Sequence, residues 1–518
     1  MPETLAELIR EQAAERPDRP ALTFEGQTWT YREIDERASR TAQGLLALGV
    51  QPGDRIATVV KNVPAFFDVL FGAAKIAAVT CPVNWRLSPR EVVQIVNDAS
   101  AKVLLISEEF SDALTEVEDQ LTTVKVIFVV AADDRHDVFG EWRDTYPADD
   151  PRVPFPVECV ALQYYTSGTT GLPKGVMLSN ANLFALTDVM NDQTRFTEDS
   201  VNLVVMPLFH VAGAGWATYG FSFGAHNVMH RDIDLVAILH DIEHYHVTHA
   251  LFVPAVLQFL LLTPGVESTD FSSLELILYG ASPISQDVLV RGIETFRCRF
   301  VQAYGLTETD GAVVLLPAED HDPNGPNRHR LEAAGPPMRG VELRIVAPDG
   351  TECGTGEVGE VWIRSPRNMV GYWNMPEATA AVITPDGWFK SGDAGNLYAD
   401  GCLYIHYRVK DMIISGAENI YPAEVESILM EHPAVADVAV IGVPDEQWGE
   451  AVKGIVVRTP DADVTDSELI TFCRDRLAHF KCPSSIDWAE SLPRNPSGKL
   501  LKKDLREPYW RGRERRVN

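Results

Sequence analysis

Leu5, Leu8 and Ile9 share one face of residues 3–15, the spacing of an amphipathic helix. The segment LTFEGQTWTY (22–31) predicts two short strands around a Gly turn. The next residues, 31–50, predict a long helix closed by Gly49. Short apolar runs then recur before turns: RIATVVKN, KVLLIS at 102–107 and, after residue 160, VNLVVMPL, HVTHALFV and LELILYGA. Such runs are the mark of strands buried on both faces. Between them FFDVLFGAAKIAAV reads as a helix, and the β/α alternation predicts layered parallel sheets.

The pattern changes near 320–340, where HDPNGPNRHR is a polar loop. From residue 341 the chain reads mostly as strand (VELRIVAPDG, GEVGEVWIRS, LYIHY). After Lys410 the α/β alternation returns in VESILMEHPAV, VADVAVIGVPD, KGIVVR and SELITFCRDRLA. The expected fold class is α/β. A large N-terminal domain over 1–408 holds layered α/β sheets and a small β-barrel-like unit at about 335–408. A smaller, mobile α/β domain over 409–518 follows.

Composition narrows the function. Of the 518 residues, 45% are hydrophobic and 23% charged, as in an ordinary globular enzyme. The net charge of −29 excludes a surface built to bind nucleic acid or anionic lipid, but not a nucleotide in a locally basic cleft. Seven cysteines with no CxxC exclude a zinc knuckle and predict reduced thiols in a cytoplasmic protein. The charged N-terminal segment predicts no signal peptide. The apolar run Val126–Ala132 is far below the roughly 18 residues of a membrane span, so no integral membrane segment is expected.

The most informative string is YTSGTTGLPKGV at 165–176. Its glycines admit tight turns, its hydroxyls and N–H groups can donate, and Lys174 adds a cation. That is the chemistry of a polyphosphate cradle. It is not a Walker A loop, whose GxxxxGK[ST] spacing is absent.

This string resembles the signature of the adenylate-forming superfamily, which includes acyl-CoA synthetases, luciferases and peptide-synthetase adenylation domains. Six further strings resemble the family's motifs in order: MPLFHVAG (206–213), YGASPIS (279–285), QAYGLTET (302–309), KSGDAG (390–395), YRVKDMIISGAENIYPAEVE (407–426) and PRNPSGKLLKKDLR (493–506). The resemblance covers nearly the whole chain and is strongest to bacterial fatty-acyl- and aryl-CoA ligases.

The resemblance implies ATP, Mg²⁺ and coenzyme A as cofactors or co-substrates, and a role for each matching residue. Thr166, Ser167, Gly168, Thr169, Thr170 and Lys174 would embrace the β- and γ-phosphates. Thr307 would bond the α-phosphate and Glu308 would hold Mg²⁺. Tyr304 would stack on adenine beside Gln302, Gly280 and Ala281. Asp393 would accept from the ribose hydroxyls, with Arg408 on the ribose and phosphate side. Lys499 would be the catalytic cation, Lys410 the hinge that delivers it, and Gly416 would border the pantetheine tunnel. His210 would gate the acyl site. Trp216, Phe252, Phe259 and Tyr279 are candidate pocket walls, with plain core packing as the alternative for each.

Two departures bear on the acceptor thiol. Ala417 stands where the family commonly has glycine, and Cys482 and Ser484 stand where some relatives place basic residues on CoA phosphates. Lys481 or the tail arginines Arg511, Arg513, Arg515 and Arg516 could substitute. The HxxEH string at His240, Glu243 and His244 matches an inverted zinc-peptidase pattern but reads better as a solvated helix face.

The expected activity is ATP-dependent ligation of a carboxylic acid to CoA through an acyl-adenylate, with a medium- to long-chain fatty acid or an aryl acid as substrate. Transfer to an amine or a carrier-protein thiol, and luciferase-like oxidation, are the alternatives. No nucleic-acid partner is expected, and a homodimer is left open.

Overall fold

The computed structural model describes residues 2–131, 138–166, 173–282, 284–408, 411, 413–415, 418–420, 422–445, 449–460, 462–477, 479–494 and 500–511. Two large sheets organise the N-terminal region. The first has eight strands in the order Gly311–Leu316, Arg299–Leu306, Leu276–Gly280, His249–Phe252, Val201–Val204, His226–Met229, Pro20–Phe24 and Gln27–Thr30. It is parallel from Pro20–Phe24 through Arg299–Leu306, with an antiparallel strand at each edge. The second runs Gly371–Tyr372, Lys174–Ser179, Val160–Thr166, Val79–Pro82, Arg55–Val59, Val103–Ser107 and Val126–Val130.

The layering follows from the apolar runs. Strands buried on both faces need helices on both faces. One core lies between the two sheets and takes Leu5, Ala38, Phe67, Phe71 and Phe221 from helices Leu5–Glu15, Tyr31–Ala47, Ala65–Lys75 and Val211–Ser222. A second core covers the eight-stranded sheet with helices Leu235–His244, Pro254–Leu262 and Gln286–Phe296. A third covers the seven-stranded sheet with helices Pro89–Asp98 and Glu108–Thr115. Local chemistry sets the ends: helix Tyr31–Ala47 begins in a Thr30–Glu33 capping box, and Gly49, at φ +78°, turns the chain after it.

Beyond this sandwich, strands Glu342–Val346, Gly359–Arg364, Phe389–Leu397 and Leu403–Arg408 form a four-stranded antiparallel sheet. Its pairing path is open, so a closed barrel is not formed by strand pairing among the described residues. The C-terminal region is a mixed sheet of strands Glu418–Ile420, Ile413–Ser415, Gly449–Arg458, Val435–Asp445 and Ser485–Trp488, with its own core around Val425, Leu429, Val440 and Leu469. Among the described residues no helix is long and apolar enough to cross a membrane.

Candidate active site

Three parallel-sheet strands deliver the motif residues at their C-terminal ends, where open α/β sheets bind ligands. Thr166 ends the strand Val160–Thr166 and pairs in register with Lys174, which opens the return strand. Ser167, Gly168, Thr169 and Thr170 lie outside the described residues. Gly175 is required next to Lys174: a Cβ there would come 2.7 Å from Gln163 Nε2 and 3.2 Å from Trp373 Cβ. Trp373 is held by Arg55, whose guanidinium lies 3.4 Å from the ring centroid, and donates from Nε1 to the Asp98 carbonyl at 2.9 Å.

The second strand ends at Gly280, whose Cβ position is filled by the Ala303 carbonyl oxygen of the neighbouring strand. Ala281 follows in the left-handed region, at φ +66°. On that neighbour, Gln302 and Tyr304 precede a single 3₁₀ turn of Thr307, Glu308 and Thr309. The turn is pinned on several sides. Thr309 Oγ1 accepts from Leu306 N–H at 2.9 Å, and the Glu308 carbonyl accepts from Met369 N–H at 2.8 Å. Arg367 Nη2 donates to Asp310 Oδ2 and to its carbonyl, both at 2.6 Å. Burial nevertheless pushes the Asp310 carboxyl up to about 6, against the pull of Arg367.

The expected nucleotide residues converge. Tyr304 donates from its hydroxyl to Asp393 Oδ2 at 2.8 Å. Asp393 is buried, its N–H donates to Ser391 Oγ at 3.0 Å, and Arg408 stands opposite it in the ladder. On the other side Tyr372 donates to Glu308 Oε1 at 3.0 Å, and the Lys174 ammonium lies 4.8 Å from the Tyr372 ring centroid. Glu308 is half-buried, a hard oxygen donor whose bonded partner is a hydroxyl rather than a cation, so it fits a divalent ion that takes its other ligands from phosphate and water. Tyr372, Arg367, Asp310 and Trp373 belong to none of the anticipated sets. For Tyr372 and Trp373 the signal lay in GYW at 371–373, which meets the hairpin only in three dimensions; Asp310 and Arg367 find each other only in the fold.

The expected acyl wall is not brought together. Trp216 is 3% exposed, in the core between the sheets, and donates from Nε1 to the Leu203 carbonyl. Phe252 and Tyr279, 0% and 1% exposed, are register partners in the core on the sheet's other side. The Tyr279 hydroxyl donates to His321 Nε2 at 3.0 Å, while His321 donates from Nδ1 to the Pro317 carbonyl. These three are packing residues, because the sheet buries both of its faces. Phe259 is 56% exposed. His210 caps the helix Val211–Ser222, its Nδ1 accepting from Ala212 N–H at 3.1 Å.

In the C-terminal region Lys481 is tied to Glu424 at 2.7 and 2.9 Å, Cys482 is buried, and Ser484 donates to the Val452 carbonyl. Lys481 is thus held by Glu424, an ion pair that a phosphate would have to displace for Lys481 to serve as its cation. Lys410, Gly416 and Lys499 lie outside the described residues, as does Ala417. His240 and His244 stack on an exposed helix face, and no group of three metal-ligating side chains occurs among the described residues.

Comparison with known proteins fits this geometry. The family AMP-binding enzyme matches residues 9–373, and AMP-binding enzyme C-terminal domain matches residues 424–499. The fatty acid–[acyl-carrier-protein] ligase ScoC of Streptomyces coeruleorubidus is 38% identical, over 100% of this chain and 98% of its own. A feruloyl-CoA synthase of an Amycolatopsis species is 36% identical, over 95% of this chain and 96% of its own. The structure of o-succinylbenzoate CoA synthetase from Bacillus subtilis, in complex with its acyl-adenylate intermediate, has a TM-score of 0.84 at 31% identity, covering 96% of this chain and 97% of that one.

Proposed function

The chain belongs to the AMP-binding enzyme family, and on that premise we propose that it joins a carboxylic acid to coenzyme A in two half-steps. A carboxylate oxygen attacks the α-phosphorus of ATP and pyrophosphate leaves, giving the acyl-adenylate. The thiol sulfur then attacks the acyl carbon, AMP leaves, and the thiol proton is lost to solvent. The observation that carries this reading is a pair of clusters four residues apart on one strand end: Tyr304 bonded to Asp393, and Glu308 joined to Lys174 through Tyr372.

Each side chain has a chemical task. Tyr304 offers a face for adenine and Asp393 accepts from ribose hydroxyls. Thr307 donates to the α-phosphate. Lys174, with the 166–170 hydroxyls and N–H groups, holds the outer phosphates. A magnesium ion at Glu308 supplies charge neutralisation for the triphosphate. Lys499 stabilises charge on the α-phosphate, after a rotation at Lys410 that divides the chain into domains over 1–408 and 409–518, and Gly416 borders the pantetheine. The acid is a medium- to long-chain fatty acid or an aryl acid, and His210 gates its end of the site. The names of the relatives, one acting on fatty acids and one on an aryl acid, support that class. The seven cysteines, none of them in a disulfide, fit a reducing cytoplasm.

A second reading keeps the adenylate but passes the acyl group to a carrier-protein thiol. The paired Lys481 and the relative named as a carrier-protein ligase favour it. Mass spectrometry of products from ATP, Mg²⁺ and a graded panel of fatty and aryl acids decides. CoA-dependent thioester supports the first reading. Adenylate that persists with CoA but is consumed by a phosphopantetheinylated carrier supports the second. No adenylate from any acid sinks both.

A further inference from the structure

We propose that Tyr372 is the positioning residue of the metal–triphosphate site: its hydroxyl orients the Glu308 carboxylate, and its ring holds the Lys174 ammonium apart from that carboxylate. The inference rests on the adenylation reading above and adds a residue to it.

The backbone around Tyr372 is fastened to both sides of the site. Met369 N–H donates to the Glu308 carbonyl at 2.8 Å. Val370 N–H donates to the Met177 carbonyl at 3.0 Å, and Trp373 N–H to the Gly175 carbonyl at 2.7 Å. Between them Gly371 and Tyr372 pair with Met177 and Val176 of the phosphate hairpin. Tyr372 N–H itself donates to Thr379 Oγ1 at 2.9 Å, and the side chain is only 6% exposed. Residues 369–373 thus form a strap from the Glu308 turn to the strand that carries Lys174, and Tyr372 is the strap's side chain at that junction.

The chemistry explains why tyrosine stands there. Lys174 and Glu308 carry opposite charges in one cleft, and a direct ion pair would consume both the phosphate cation and the metal ligand. A phenol separates them. Its hydroxyl gives the carboxylate a charge-assisted hydrogen bond, leaving Oε2 for a cation. Its face offers the ammonium a weaker, undirected attraction that phosphate oxygens can outcompete. Phenylalanine keeps the face and loses the donor; leucine loses both. The two halves of the role are therefore separable.

The test is equilibrium binding of ATP to the full chain, with Mn²⁺ as the probe metal followed by its electron paramagnetic resonance signal. Tyr372→Phe is expected to weaken the Mn²⁺-dependent part of ATP affinity by ~10-fold, the usual cost of losing a partner behind a metal ligand. Metal-free ATP affinity should stay within ~2-fold. Tyr372→Leu should also lose metal-free affinity. In a Glu308→Gln background Tyr372→Phe should cost no further Mn²⁺-dependent affinity, because the anionic ligand it orients is gone. Thermal unfolding verifies that each variant folds. A folded Tyr372→Phe with the wild-type Mn²⁺ response overturns the inference, and so do losses that simply add to those of Glu308→Gln. A wild-type chain that binds no ATP overturns the adenylation reading, and this inference with it, before any variant is read.

Discussion

The Tyr304 hydroxyl and the Asp393 carboxylate, 2.8 Å apart, join the eight-stranded sheet to the four-stranded β unit at the proposed nucleoside end of the site. One residue offers a ring and the other an anion, and the bond sets each by the other. Tyr304→Phe keeps the ring and removes the donor. A hydrogen bond to a charged group contributes about 1.5 kcal/mol, so the KM for ATP should rise about tenfold with kcat within twofold. ATP–pyrophosphate exchange measures both. An unchanged KM would show that the carboxylate needs no such partner.

Lys499 is assigned to the first half-step only. Lys499→Ala should cut adenylate formation by ~10²-fold or more, while a synthetic acyl-adenylate still reacts with CoA. Lys410→Pro should do the reverse, slowing thioester formation more than adenylation. Equal losses in both half-reactions for both variants would contradict domain rotation.

Gly280 has no room for a methyl group, since the Ala303 carbonyl of the paired strand occupies its Cβ position. Gly280→Ala must push two buried strands apart, at a cost of about 1–3 kcal/mol. A lowered urea midpoint, together with weakened ATP binding, is expected. A normal midpoint would mean that the strand end adjusts freely.

Acid should destabilise the fold early. Burial holds His226, His249 and His321 near about 4, below the usual 6.5. As pH falls through 6.5 the unfolded chain takes up protons there and the native chain does not. The native state is therefore favoured fully above pH 6.5 and loses stability steadily towards pH 4. His321→Gln, whose amide can serve both Tyr279 and the Pro317 carbonyl, should flatten that slope. Urea midpoints at pH 7, 6 and 5 give the comparison; an unaltered slope would remove His321 from the set.

The legible parts of the chain are those whose meaning is local. The Gly turn inside 22–31 and the helix end at Gly49 are short-range chemistry, and both appear where the pattern places them. Tyr304, Glu308, Asp393 and Lys174 could be singled out because each sits in a string with a recognisable neighbourhood; their roles remain those proposed above. For Trp216, Phe252 and Tyr279 the sequence left pocket wall and core packing both open, for a physical reason. An aromatic on a two-sided buried strand or central helix has the same sequence context as one on a cavity wall, and only the packing separates them. Asp310 and Arg367, and Tyr372 with Glu308, are partners across long separations that no periodicity reports. The strand-rich reading of about 335–408 meets a four-stranded antiparallel sheet there.

The pairing of Gly371–Tyr372 with Val176–Met177 also has a temporal side. During synthesis the strand Lys174–Ser179 emerges about 190 residues before its outer neighbour, a delay of ~10–40 s at ordinary elongation rates. For that interval it is an uncovered sheet edge on the nascent chain, able to template unwanted pairing. The hairpin is thus made about a third of the way through synthesis and sealed only when roughly seven-tenths of the chain is out. Slowed translation between residues 180 and 370 should therefore fall most heavily on the yield of soluble protein.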